Sequence, residues 1–183
     1  MKIQVTPSWC LFLDRDGVIN ERIMGDYVKT IDEFKFRPGV LVALEKLNTL
    51  FQYVFVVTNQ QGIGKGIMSA TQLLEVHDYM ESQVRQSNGR ITKVYFAPDK
   101  ASPTNNLRKP EPGMALQAQR EFDGVNFHQS IMVGDTDSDI LFGSRLGMKT
   151  VRIKTDDEPI GVEADYTING LLELIELLEY ERN

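Results

Sequence analysis

Two aspartates one residue apart, Asp14 and Asp16, close an apolar run, CLFL at 10–13, and Gly17 follows at once. Such a pair can be no more than a strand end and a turn, where Asp and Gly are favoured. It can also do chemistry. In extended chain alternate side chains share a side, so Asp14 and Asp16 can face one way and Arg15 the other. Gly17 then lets the chain turn sharply and keeps a side chain out of the site. Three more polar clusters follow apolar runs: Thr58 and Asn59, Arg108 and Lys109, and Asp135 through Asp139. Acidic groups from two separate runs suit a hard cation such as Mg²⁺, which takes oxygen ligands. A lysine and a threonine hydroxyl beside it would bind phosphoryl oxygens, and the whole composes a phosphoryl-transfer site. Asp14 can attack as the nucleophile and form an aspartyl phosphate. Asp16 would protonate the leaving oxygen and then take a proton from the hydrolytic water. Neighbouring carboxylates push the pKa of Asp16 up, and a bound cation pulls it down.

These clusters need a scaffold that brings them to one edge. Apolar runs at 10–13, 53–57, 94–97, 131–133 and 150–153, with a weaker one at 166–168, read as buried parallel strands. Helical patterns lie between them at 39–50, 70–86, 113–122 and 138–146, with Pro38 and Pro112 near two starts and Gly147 at a stop. The alternation predicts an α/β fold, Rossmann-like and doubly wound, with a mainly parallel sheet and helices on both faces. In such sheets ligands bind beyond the carboxyl ends of the strands, where all four clusters fall. The segment 171–180 carries Leu171, Leu174, Ile175 and Leu178 at helical spacing and is expected to pack on the sheet edge. Short connections leave little room for a separate cap domain, and residues 18–37 could form a small flap. The long loop at 97–113 is of the kind that carries function in compact domains.

Composition sets the limits. The 183 residues, 42% hydrophobic and 25% charged, fit a single globular domain spanning 1–183. A net charge of -6 weighs against binding nucleic acid through a broad basic surface. One cysteine, Cys10, excludes an internal disulfide and a Cys-rich zinc site, and reads as a small buried residue. No leader-like or bilayer-length apolar run is visible, so a cytoplasmic protein with no membrane partner is expected, a monomer or small homo-oligomer. QGIGKG at 61–66 lacks the spacing and the hydroxyl residue of a P-loop; its glycines shape a turn, with Lys65 solvated or near a substrate. His77 and His128 are expected in core or surface roles, Asp137 at a helix start, and the acidic run 156–158 in a solvated loop.

DRDGVIN at 14–20, TNQQGIGKG at 58–66, RKPEPGM at 108–114 and GDTDSDI at 134–140 together resemble the four ordered motifs of the haloacid dehalogenase superfamily. With DYV at 26–28 and RPGV at 37–40, the wording is similar to the group that contains heptose bisphosphate phosphatases and the histidinol phosphatase domain. The resemblance implies a Mg²⁺-dependent phosphomonoesterase acting on a small phosphate ester, with heptose 1,7-bisphosphate favoured and histidinol phosphate next. It implies Asp14 as nucleophile, Asp16 as acid and base, and Thr58 and Lys109 on the transferring phosphate. Asn59 and Arg108 would assist phosphate or substrate binding. Asp14, the main-chain carbonyl of Asp16, and Asp135 would ligate the metal, with Asp139 outside them. Many members of that group carry a Cys/His zinc loop before the Arg-Lys-Pro motif; residues 97–107 contain neither residue, so no zinc is expected. Two other readings stand beside this one. A nucleic-acid 3′-end phosphatase shares TNQQGIGKG and RKPEPGM but meets an acidic chain. A non-enzymatic phosphoaspartate switch would have no acid at position 16.

Overall fold

The computed structural model describes residues 2–102, 107–155 and 160–181. The elements in chain order are β1 (Ile3–Val5), β2 (Cys10–Leu13), α1 (Val40–Leu47), β3 (Tyr53–Asn59), α2 (Ala70–Gln86), β4 (Lys93–Ala97), α3 (Gly113–Glu121), β5 (Ser130–Gly134), α4 (Asp137–Leu146), β6 (Lys149–Ile153), β7 (Tyr166–Ile168), α5 (Leu171–Leu177) and β8 (Leu178–Tyr180).

Six strands form one parallel sheet in the order β4-β3-β2-β5-β6-β7. Every residue of β2 and β5 is buried, because helices cover both faces of the sheet. The two-residue repeat divides the core. Leu11, Leu13, Val54, Val56, Ile131 and Val133 face one layer, with Leu44 of α1, Met80 of α2 and Leu174 of α5. Cys10, Phe12, Phe55, Val57 and Met132 face the other, with Met114 and Ala118 of α3 and Phe142 of α4. Phe12 and Phe55 lie 5.1 Å apart between ring centres. The chain winds outward from β2 through β3 to β4, then returns to β5 and winds the opposite way. Neighbouring crossovers therefore part between β2 and β5, and their carboxyl ends frame a crevice.

Side-chain caps fix where two helices start. Ser69 accepts from the main-chain N–H of Gln72 (3.1 Å), and the Gln72 side chain accepts from that of Ser69 (2.9 Å), which starts α2. At the start of α4 the Asp139 carboxylate accepts from the main-chain N–H of Thr136 (3.0 Å).

Most expected elements stand within one or two residues of their predicted bounds. The helical expectation for 171–180 needs correction. The helix ends at Leu177, and Leu178–Tyr180 pairs in parallel with β1, Ile3 opposite Leu178 and Val5 opposite Tyr180. A three-residue partner near the other end of the chain gives no local signal. Residues 18–37 carry a 3₁₀ turn at Ile31–Glu33 and pack inward through Val28 and Phe34, the latter edge-on to Tyr79 of α2. The acidic run 156–158, and positions 103–106 of the loop expected to be free of zinc, lie outside the described residues. Among the described residues no helix is long and apolar enough to cross a membrane.

Candidate active site

Asp14 leaves β2 at the crevice, its main-chain N–H donating to Val133 O at 2.9 Å, which ties the end of β2 to β5. Asp135 leaves β5 beside it. Gly17, at φ +87°, closes the turn after Asp14 and lies so near Asp135 that a Cβ there would stand 2.2 Å from its Oδ2. Gly134 has the same role behind Asp139, whose Cβ would meet an added Cβ at 2.0 Å. Both positions need glycine because the carboxylates occupy the space a side chain would take.

Asp14, Asp135 and Asp139, all buried, each place one oxygen within 4.8 Å of the others. Lys109, also buried, reaches into this cluster: Nζ donates to Asp139 Oδ1 at 2.5 Å and forms an ion pair with Asp14 Oδ1 at 2.8 Å. The short Lys109–Asp14 separation is poorly aligned for a hydrogen bond, so the attraction there is chiefly Coulombic. Arg22, from the segment before the 3₁₀ turn, approaches Asp135 Oδ2 at 3.3 Å. The other oxygen of Asp135, Oδ1, is buried and has no hydrogen-bond partner among the described residues.

Three carboxylates thus share one buried ammonium and one half-exposed guanidinium. Burial, with the charges of Asp139 and Asp14, pushes the Asp135 carboxyl well above the usual range. Burial likewise raises Asp14, against the pull of Lys109. For Lys109 burial alone would lower the pKa, but Asp139 and Asp14 overcome it and the net shift is upward, so the ammonium keeps its proton. An excess of buried negative charge with an orphaned carboxylate oxygen matches the donor set of a hard cation.

Asp16 stands apart from this cluster. Its carboxylate receives Arg15 Nη2 on both oxygens (2.9 and 3.0 Å), Asn20 Nδ2 on Oδ1 (2.9 Å) and Gln60 Nε2 on Oδ2 (2.8 Å). Burial would raise its pKa, but the Arg15 charge and these bonds outweigh burial and hold it below the usual carboxylate range. Two expectations change here. Arg15 does not face away: it is wholly buried and its guanidinium turns to grip Asp16. Arginine, rather than neighbouring carboxylates, sets the charge state of Asp16.

The remaining candidates take different places. Thr58 is buried at the end of β3 and its hydroxyl accepts from Gln60 (2.9 Å). Asn59 makes a reciprocal pair with the main chain of Lys109, donating to its carbonyl (3.1 Å) and accepting from its N–H (2.9 Å). Asn59 therefore fixes the lysine of the distant loop. Asp139 uses Oδ1 for Lys109 and Oδ2 for Thr136, whose hydroxyl donates at 2.7 Å. Asp137, the first residue of α4, pairs with buried Arg152 (2.6 Å), which also donates to Asp135 O (2.8 Å).

An open cleft of about 340 Å³ lies over these groups. Asp14, Asp16 and Lys109 line it, with Arg108, Lys65 and Tyr27. Arg22, Ile23 and residues 25–28 also line it, so the expected flap does border the cleft; Tyr27 OH accepts from Lys65 Nζ at 3.0 Å. Sequence reasoning missed Asn20, Gln60, Arg22 and Tyr27. Gln60 carried a signal, since it sits two residues after Thr58 and the alternation applied to Asp14 and Asp16 puts it on the same side. Nothing in the sequence pointed to Arg22.

Known proteins bear on this arrangement. Residues 106–174 match the HAD-hydrolase-like family. A D-glycero-alpha-D-manno-heptose-1,7-bisphosphate 7-phosphatase of Mycobacterium bovis is 42% identical over 133 residues, 73% of this chain and 70% of its own. A D-glycero-beta-D-manno-heptose-1,7-bisphosphate 7-phosphatase of Haemophilus influenzae is 33% identical, covering 92% of this chain and 96% of its own. Among solved structures, D,D-heptose 1,7-bisphosphate phosphatase from B. bronchiseptica, complexed with magnesium and phosphate, superposes with a TM-score of 0.81 at 27% identity, covering 92% and 96% of the two chains.

Proposed function

This chain is a phosphatase of the haloacid dehalogenase-like hydrolase family, and from that premise we propose that residues 1–183 form one unit that removes a phosphate from heptose 1,7-bisphosphate, with Mg²⁺ bound among Asp14, the Asp16 carbonyl and Asp135. The observation that carries the reading is the buried cluster of Asp14, Asp135 and Asp139 around Lys109, with Asp16 beside it in a separate donor set. The orphaned Oδ1 of Asp135 favours it over Asp139 as a direct ligand, because both oxygens of Asp139 are already engaged.

When bound, the cation would neutralise charge on the phosphoryl oxygens and on the attacking carboxylate. Asp14 attacks phosphorus; the new bond is Asp14 O–P and the bond that breaks joins phosphorus to the sugar oxygen. Lys109, held by Asn59 through its main chain, draws negative charge off the transferring group. Asp16 gives its proton to the departing oxygen. The arriving phosphate dianion favours the protonated form of Asp16, against the hold of Arg15. Asp16 then takes a proton from water, which attacks phosphorus and frees Asp14 and inorganic phosphate. Thr58 supports the transferring phosphate, and Arg108, which lines the cleft, faces the substrate. A cytoplasmic setting fits a free sugar phosphate as substrate.

The test is phosphate release, with and without Mg²⁺, from heptose 1,7-bisphosphate as either anomer, histidinol phosphate, common sugar phosphates and a 3′-phosphorylated oligonucleotide, with Asp14→Asn as blank. Mg²⁺-dependent release from one heptose anomer, lost in the variant, is expected. Turnover confined to histidinol phosphate or the oligonucleotide replaces the substrate class, and release that survives Asp14→Asn overturns the nucleophile.

A further inference from the structure

His77 is a buried titratable group that the steps above leave unused. It sits on α2, and its Nε2 lies 3.2 Å from Nη1 of Arg15. Arginine only donates, so Nε2 must accept and the ring carries its proton on Nδ1. Burial, aided by the Arg15 charge, holds the His77 pKa down to about 3, so the ring is a neutral acceptor throughout the working range. Phe96 of β4 meets the ring at 63°, 5.9 Å between centres, and limits its rotation.

The guanidinium of Arg15 is held at two points. Nη1 meets His77, and Nη2 meets both oxygens of Asp16. Nε is buried and has no hydrogen-bond partner among the described residues. Without the His77 acceptor the fork could turn about its long stem, and among the described residues Asp16 would keep the neutral amides of Asn20 and Gln60. Asp16 needs a fixed direction because it must reach a leaving oxygen on the cleft side, and small errors in aim are costly in proton transfer.

We propose that His77 is a positioning residue for this reaction: through Arg15 it sets the direction of the Asp16 carboxylate. The inference rests on the reading of Asp16 as acid and base. A general acid matters in proportion to the basicity of the leaving group. Phenolate leaves poorly without a proton, whereas p-nitrophenolate leaves well without one. The ratio of kcat/KM for phenyl phosphate to that for p-nitrophenyl phosphate therefore reports on the acid alone. It covers the steps up to departure of the leaving group, before Asp16 acts as a base.

The experiment compares wild type, Asp16→Asn, His77→Leu, His77→Asn and His77→Gln, each checked by thermal melting. A glutamine Oε1 reaches roughly where Nε2 stands, and an asparagine oxygen falls short. His77→Leu and His77→Asn are expected to lower the ratio about fivefold, a fraction of the roughly hundredfold that a general acid supplies. Asp16→Asn is expected to lower it furthest, and His77→Gln to restore it to within about twofold of wild type. For the His77 variants kcat/KM with p-nitrophenyl phosphate, whose leaving group needs no proton, stays within about twofold of wild type. If His77→Leu does not fold, the Asn and Gln variants decide. Equal ratios for those two, or a wild-type ratio in His77→Asn, overturn the inference and leave Asp16 standing. An Asp16→Asn variant that loses both esters equally overturns the reading of Asp16 itself.

Discussion

Replacing Asp135 by Asn should make the metal-free protein more stable, although it removes a buried, hydrogen-bonded side chain. Oxygens of Asp14, Asp135 and Asp139 lie within 4.8 Å of each other, and at an effective dielectric constant of about 20 each pair repels by about 3 kcal/mol. Neutralising Asp135 relieves two of these repulsions. It forfeits an attraction to Lys109 of similar size and one to Arg22 that exposure reduces to about 1 kcal/mol or less. The balance is a gain of about 2 kcal/mol, or roughly 4–8 °C in melting temperature for a chain of this size. The pH dependence has a definite sign. Burial and like charges raise the native pKa of Asp135, so between the ordinary carboxylate value near 4 and that raised value the native state binds more protons than the unfolded chain. Metal-free wild type therefore loses stability as pH rises through this window, and the advantage of the variant is small at pH 5 and largest at pH 8. With Mg²⁺ the order reverses: wild type gains about 2.7 kcal/mol at a hundredfold excess over its dissociation constant, and the variant gains little. Scanning calorimetry at pH 5 and pH 8, in chelator and in Mg²⁺, reads all four conditions. An Asn variant that melts below wild type in chelator at pH 8, or gains as much from Mg²⁺, refutes the electrostatic argument.

Gly17→Ala places a Cβ 2.2 Å from Asp135 at a positive φ; it should cost about 1–2 kcal/mol in a urea melt and reduce phosphate release about a hundredfold. Arg152→Met removes the donor to Asp135 O and the partner of Asp137; Mg²⁺ affinity by isothermal titration should fall about tenfold, and unchanged affinity would count against a supporting role for Arg152. Phe12→Ala empties a fully buried site between the sheet and its aromatic neighbours and should cost about 3–5 kcal/mol in denaturant, with the increment in stability from Mg²⁺ unchanged.

The parallel sheet was legible because helices cover both faces of it, which leaves uninterrupted apolar runs such as CLFL and YVFVV. The positions of Asp14 and Asp135 followed from strand ends, and that of Lys109 from the loop between β4 and α3. The roles of single side chains were less accessible. Arg15 looked like the outward member of an alternating pair, but a long side chain can fold back around the turn that Gly17 makes, and only the folded turn shows that it does. Asn59 looked like a ligand for phosphate, yet its amide is bonded to the main chain of Lys109, a pairing that depends on how two distant loops meet. Leu178 satisfied helical spacing, and the strand it joins is too short to announce itself.

The convergence of Asp14, Lys109 and Asp135 from remote parts of the chain has a kinetic meaning. None of the three is near another in sequence, so their charges meet only when the carboxyl ends of β2 and β5 and the loop before α3 have docked. Groups that assemble after the rate-limiting step alter escape from the native basin rather than entry into it. A cation held there would act as a brake on opening. In stopped-flow denaturant jumps it would lower the unfolding limb of the chevron and leave the refolding limb in place, and a shift of the refolding limb instead would put the carboxylates in the folding nucleus.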